Sequence, residues 1–173
     1  FRSIRTLPPG GKVVWQNGST RVSGGYTFPK FESVSLDVAV RHYGELFHNA
    51  VKRRASKEIR TGVPLSGGRD SRHILLELDS IGCKPKACFT NHDFPPYREE
   101  NIAAASLLCN RLGIKHEIYG QHGSRLNAEL RKNRLNGFTA LENIWCVDFY
   151  PTVAKHVSVI YEGTPGDVLS AGS

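Results

Sequence analysis

The chain is 173 residues long, 39% hydrophobic and 23% charged, a composition ordinary for a soluble globular protein. No apolar stretch approaches the length of a membrane span and no basic-then-apolar segment opens the sequence, so a cytoplasmic protein with no membrane partner is expected. The formal charge of +7 raises nucleic acid as a partner, but the cations lack the aromatic interleaving of single-strand binders, and solvated helix faces explain them more simply.

In chain order, residues 1–30 differ in texture from the rest. Leu7-Pro8-Pro9-Gly10-Gly11 reads as a turn, Lys12–Gln16 as a short strand, Asn17-Gly18 as a hairpin turn, and Ser23-Gly24-Gly25 with Pro29 as a loop or linker. So few residues bury no core of their own, and the segment is expected to be the closing hairpin of an upstream domain. With a start at Phe1 and no methionine, the sequence is expected to be a piece of a longer polypeptide. The second domain is assigned to residues 31–173.

Ser35 is a suitable N-cap for a helix over 36–55, with Leu36, Val40, Tyr43, Phe47 and Val51 recurring on one face beside Leu46 and Ala50. Lys52, Arg53 and Arg54, with Lys57 and Arg60 beyond them, carry much of the excess charge; Arg125, Arg131, Lys132 and Arg134 carry more. A strand closing at Pro64-Leu65 leads through Ser66-Gly67-Gly68-Arg69-Asp70-Ser71 into a helical pattern that stops near Gly82. A strand over Lys86–Thr90 follows, then a loop with Asn91, Asp93, Pro95 and Pro96. A helix from about Arg98 to Leu112 has Ile102, Ala105, Leu108 and Leu112 inward, and Lys115–Tyr119 reads as another strand. Two further helical stretches are expected, the second interrupted by Pro151, and a last apolar run, Val157–Tyr161, opens into Glu162-Gly163-Thr164-Pro165-Gly166-Asp167.

Strands alternating with helices predict a doubly wound parallel α/β sheet with helices on both faces. Such sheets bind ligands at the carboxyl ends of their strands. The string Ser66–Ser71 has the chemistry of a phosphate loop: glycines that permit close approach, backbone N–H groups at a helix N-terminus, two hydroxyls, and the Asp70 carboxylate to hold Mg²⁺ against a polyphosphate. It lacks the Lys of a Walker loop and the G-x-G-x-x-G of a dinucleotide site. A tight strand–helix turn with a serine capping the helix is the alternative reading. Arg69 and Arg72 suit either phosphate binding or pairing with acids such as Glu77. His73, His92, His116 and His122 are candidate general bases, though none has metal-ligand spacing on one helix. Cys83, Cys88, Cys109 and Cys146 form no C-x-x-C pair, so zinc and redox motifs are not indicated and buried free thiols are expected. Trp145 and Phe149, four apart, read as core.

With both loops in view the chain resembles the synthetase domain of the asparagine synthetase family, which includes β-lactam synthetases. Ser66 to Ser71 match the family's Ser-Gly-Gly-x-Asp-Ser pyrophosphate loop. Residues 162–169 align with its later Ser-Gly-Glu-Gly-Ala-Asp-Glu-Leu loop through Gly163, Asp167 and Leu169, and Leu7-Pro8-Pro9-Gly10 resembles the turn near the end of its glutaminase domain. The resemblance implies an adenine nucleotide alpha hydrolase-like fold, incomplete at the C-terminus, and an ATP-dependent ligase or amidotransferase. A substrate carboxylate is adenylated with loss of pyrophosphate, and an amine or ammonia then forms the amide. It implies that Ser66, Gly67, Gly68, Asp70 and Ser71 hold pyrophosphate, that Asp70 and Asp167 are the catalytic Mg²⁺ ligands, that Gly163 lies by the nucleotide, and that Leu65, Phe89 and Thr90 line the adenine and ribose side. ATP, Mg²⁺, a carboxylate substrate, an amine donor and an upstream glutaminase-like domain are the implied cofactors and partners. Glu162, Thr164 and Val168 depart from the pattern: Thr164 stands where asparagine synthetases carry a Glu that assists the amide-forming step. A tRNA-modifying enzyme of the wider pyrophosphatase-loop group, or a non-catalytic nucleotide-binding remnant, are the alternatives.

Overall fold

The computed structural model describes residues 5–27, 33–57, 59–94, 99–121, 123–139 and 143–163. The chain divides into two units between His42 and Tyr43. The first contains an antiparallel hairpin of β1 (Gly11–Gln16) and β2 (Ser19–Gly24). Its two-residue turn, Asn17-Gly18, takes φ of 51° and 76°, the left-handed pair that matches the twist of the flanking strands. Ser23 and Gly24, read from the sequence as loop, instead complete β2, because the ladder continues until Gly24 faces Gly11.

Helix α1 (Leu36–Arg54) spans the boundary between the units. The Val38 amide donates to Ser35 Oγ at 3.4 Å, and Asp37 and Lys52–Arg54 stand at the ends that suit the helix dipole. Its apolar stripe is buried only towards the carboxyl end: Val51 is in the core and Phe47 packs against it, whereas Leu36, Val40, Tyr43 and Leu46 are exposed. The expected inward face is thus half realised: of its residues within the second unit, Phe47 and Val51 join the core and Tyr43 and Leu46 do not.

The second unit holds a four-stranded parallel sheet, in the order β5 (Lys115–Gly120), β4 (Ala87–His92), β3 (Thr61–Pro64), β6 (Val159–Ile160). Its helices are α2 (Arg69–Ser80), α3 (Glu99–Leu112), α4 (Arg125–Asn136) and α5 (Cys146–Val153). The two-residue period of the strands sorts the core into two layers. Val63 and Cys88 pack with Val51, Leu75, Leu78, Ala105 and Cys109 from α1, α2 and α3, while Ala87 and Phe89 pack with Phe149, Val153 and Val157 on the α5 side. Helices therefore cover both faces, as a parallel sheet buried on both sides requires. From β3 the chain steps outward to β4 and β5, then returns to place β6 on β3's other side, so the strand order reverses between β3 and β6.

Three details depart from the sequence reading. Pro151 sits within α5 rather than interrupting it, because Phe149 and Val153, four residues apart, anchor the helix in the core. Lys132 is not a solvated cation: it is 4% exposed, and its ammonium meets Glu129 at 2.5 Å. β4 runs two residues beyond Thr90, carried by pairing of Asn91 with Tyr119 and His92 with Gly120. All four cysteines are free thiols; Cys88 and Cys109 are wholly buried. A hydrogen bond to Cys109, reinforced by burial, holds the Cys88 thiol far above its ordinary range.

Phe89 anchors the α5 side of the sheet. Its ring is fully buried and lies so near Gly62 that a Cβ there would stand 2.6 Å from Phe89 Cε2. Phe89→Ala is expected to lower unfolding stability by about 3–5 kcal/mol, read from the urea midpoint. Adding Gly62→Ala to that variant should recover part of the loss by filling the vacated space, whereas Gly62→Ala alone should destabilise by overpacking.

Candidate functional site

The Ser66–Ser71 loop leaves the carboxyl end of β3 and opens α2. Leu65 is locked before the loop begins: its amide donates to the Phe89 carbonyl at 2.8 Å, and its carbonyl accepts from the Thr90 hydroxyl at 2.6 Å. Thr90 Oγ1 also meets His116 Nε2 at 2.7 Å, and His116 Nδ1 meets Ser106 Oγ at 3.1 Å. Because the single hydroxyl proton of Thr90 goes to Leu65, Nε2 carries the ring proton and Nδ1 accepts from Ser106. Burial holds the His116 pKa below the ordinary 6.5, in keeping with a neutral ring. A polar chain from α3 through β5 and β4 thus fixes where the loop starts.

A histidine held below its unfolded pKa binds fewer protons folded than unfolded. Its stabilising contribution is present above 6.5 and is lost as pH falls from there through the lower folded value. Urea midpoints are expected to drop between pH 7 and pH 5, and this slope should flatten in His116→Gln.

Inside the loop the serines bond to the loop itself. The Ser66 amide donates to Ser71 Oγ (3.1 Å), the two hydroxyls share a hydrogen bond (3.1 Å), and the Gly68 amide donates to Ser66 Oγ (3.1 Å). Gly68, not a serine, is the N-cap of α2, and it makes no side-chain cap; Ser71 lies inside the helix. The serine-capped turn is therefore replaced by a hydroxyl-laced loop. The amides of Arg69, Asp70 and Ser71, in the first helical turn, have no acceptor within the helix and supply the positive end of its dipole. Arg72 Nε donates back to the Gly68 carbonyl at 3.0 Å, while Glu77 pairs with His48 Nδ1 at 2.7 Å, so Arg72 braces the loop, and of its two sequence readings the pairing with Glu77 is not formed.

Two close approaches define the loop's neighbours. A Cβ on Gly67 would stand 2.4 Å from Asn101 Oδ1 and 2.9 Å from Asn101 Cα, so only glycine lets the loop lie against α3. A Cβ on Gly163 would stand 2.9 Å from Asp70 Cβ. The second contact follows from topology: β3 pairs with β6, the Tyr161 amide donates to Gly62 at 2.9 Å, and the segment after β6 arrives beside the start of α2. Gly163, in the segment that follows β6, therefore lies beside the loop after β3 at the reversal of strand order, where doubly wound sheets open a crevice. Asp167, with Thr164 to Leu169, lies outside the described residues, as do His122 and residues 95–98.

The side chains of Leu65, Phe89 and Thr90 are 2%, 0% and 3% exposed, so they act as the frame under the loop. Asn101, Ser106 and the Thr90–His116 link escaped sequence reasoning, since no local spacing marks them as the loop's neighbours. Of the other candidate bases, His73 stacks on Phe47 at 3.9 Å between centroids, and His92 pairs with Glu99 at 3.2 Å. Glu162, at the start of the second loop, accepts from the Tyr150 hydroxyl at 2.5 Å; burial and this bond push the Tyr150 pKa up.

Two concavities flank this region. A groove of about 830 Å³ runs between α2 and α3 and is bordered by Asp70. At the opposite, amino ends of the strands, a pocket of about 420 Å³ is rimmed by Lys57, Arg60, Lys84, Lys86 and Lys115. Lys57 and Arg60 thus serve this rim rather than a helix face. Among the described residues no helix is long and apolar enough to cross a membrane, and no group of three or more His, Cys, Asp or Glu side chains is placed to hold a metal ion. No protein-family model matches the chain, and no curated protein matches it.

Proposed function

We propose that the chain is the ATP-binding core of an amide-forming ligase of asparagine synthetase type, with an adenine nucleotide alpha hydrolase-like fold. The observation that carries this reading is the contact of Gly163 with Asp70, which sets the start of the segment after β6 against the Ser66–Ser71 loop at the reversal of strand order. In this reading the first-turn amides of α2, and the one hydroxyl proton that the Ser66–Ser71 bond leaves free, receive the β- and γ-phosphates, while Gly67 keeps the loop against α3 and Gly68 opens the helix. Leu65, Phe89 and Thr90 brace the loop beneath. Asp70, half-buried beside those amides, suits a Mg²⁺–polyphosphate better than a bare one, since its carboxylate alone would repel the phosphates. Asp167 is the proposed second ligand, and Mg²⁺ held there would offset charge on the departing pyrophosphate.

In this reading the reaction is the one that the resemblance to the asparagine synthetase family implies. A substrate carboxylate oxygen bonds to the α-phosphorus of ATP as the bond to the bridging oxygen breaks, and pyrophosphate leaves with that electron pair. An amine then attacks the acyl carbon, loses a proton, and displaces AMP. The loop amides act on the first step, where charge accumulates on the leaving group. An upstream glutaminase-like domain supplying ammonia belongs to the same proposal.

The test is exchange of labelled pyrophosphate into ATP by the chain in the presence of pooled carboxylic acids. Exchange that requires both Mg²⁺ and a carboxylate supports adenylation. Mg-ATP binding without exchange under any carboxylate would instead support a nucleotide-binding protein without this chemistry.

A further inference from the structure

The groove between α2 and α3 carries two facing stripes. On α2, Arg69, Arg72 and Leu76 fall at steps of three and four; on α3, Ala104, Leu108 and Arg111 fall at steps of four and three, with Leu107 beside them. Three leucines and Ala104 line it beside Tyr43 and His73, and three guanidiniums stand against the single Asp70 carboxylate. No acid among the described residues pairs with these arginines. Leu107 and Leu76 are 60% and 47% exposed, so the apolar wall is open to a ligand.

The groove also has a direction. Gly67 lies against Asn101, which puts Asn101 level with the phosphate loop. Both helices descend from there, so Arg69 and Arg72 stand at the loop end, the leucines lie below, and Arg111 is roughly 15 Å below Asn101 at 1.5 Å per residue. A ligand matching this order has an anionic head near Asp70 and an aliphatic body along the leucines.

Resting on the proposed function, we infer that the groove is the acyl-substrate site and that its substrate class is a carboxylate on an aliphatic chain of about eight carbons, a length of roughly 10 Å set against the helix rise. Arg69 holds the carboxylate in a charge-assisted hydrogen bond beside the phosphate loop, and Leu76, Leu107 and Leu108 bury the chain. This head-and-body order excludes a short polar amino acid, which would leave the leucines unfilled.

The test is amide ¹H–¹⁵N NMR titration of the whole chain with octanoate, with octanamide as its neutral counterpart and inorganic phosphate as an anion without a body. Octanoate is expected to move the amides of Ala104, Leu107 and Leu108 and to bind at least tenfold more tightly than octanamide, on the order of a charge-assisted hydrogen bond. Arg69→Gln should remove most of that preference. Leu107→Ser should weaken octanoate several-fold and leave Mg-ATP binding unchanged. Equal binding of octanoate and octanamide, phosphate binding as tightly as octanoate, or octanoate shifts outside the groove would each overturn the inference. A parallel Mg-ATP titration separates the two proposals. If Mg-ATP moves the loop amides and octanoate leaves the groove unmoved, the substrate assignment alone fails. If octanoate binds selectively and Mg-ATP moves no loop amide, the proposed function fails and the groove's role as a substrate site falls with it.

Discussion

Asp70→Asn is expected to weaken Mg-ATP binding at least tenfold, the usual scale for disturbing a metal's ligands, while leaving metal-free ATP bound as well as before or better. The opposite signs follow from electrostatics. If Mg-ATP binds as proposed, the Asp70 carboxylate would attract its Mg²⁺; without Mg²⁺ the same charge would repel the phosphates. Asparagine keeps the shape and helix position and removes only the charge. Calorimetric titration with Mg²⁺ and with chelator separates the two cases. Equal weakening under both conditions would mean that the substitution damaged the fold, and no change under either would remove Asp70 from the site.

The second large effect concerns Gly67. An added methyl would stand 2.4 Å from Asn101 Oδ1 and 2.9 Å from Asn101 Cα, and the latter is backbone that no rotamer change moves. Gly67→Ala must therefore push the loop off α3, at a cost of about 1–3 kcal/mol in stability, and it should abolish measurable Mg-ATP binding because the α2 first turn moves with the loop. Asn101→Ala in the same chain relieves the clash with Oδ1 but not that with Cα, so it should restore part of the stability and little of the binding. Urea midpoints and calorimetry on the single and double variants check both statements.

What the sequence disclosed was local. The strand–loop–helix around Ser66–Ser71 was legible because glycines, a helix start and an apolar strand leave a punctuated pattern within twenty residues. The hairpin at Asn17-Gly18 was legible for the same reason: its turn demands two left-handed residues. The helix α3 ran where its apolar spacing put it, and Cys109 on it is the buried free thiol that its apolar neighbours suggested.

What stayed hidden was non-local. Nothing near Thr90 announces that its hydroxyl will hold the Leu65 carbonyl, or that His116, 26 residues on, will fix that hydroxyl from the next strand. The burial of Lys132 and the solvent exposure of Leu36, Val40 and Leu46 ran against the amphipathic pattern, because tertiary packing rather than helical spacing decides which face is covered. The approach of Gly163 to Asp70 was conditional on strand order, which periodicity alone does not specify; the β3–β6 pairing supplies it.

The most direct measurement of the central claim is an amide ¹H–¹⁵N map of the chain as Mg-ATP is added. The account predicts shifts concentrated at Ser66–Ser71 and at Glu162 and Gly163, the two loops joined by the Asp70 contact. Shifts confined instead to Lys57, Arg60, Lys86 and Lys115, around the basic pocket at the opposite end of the strands, would contradict it.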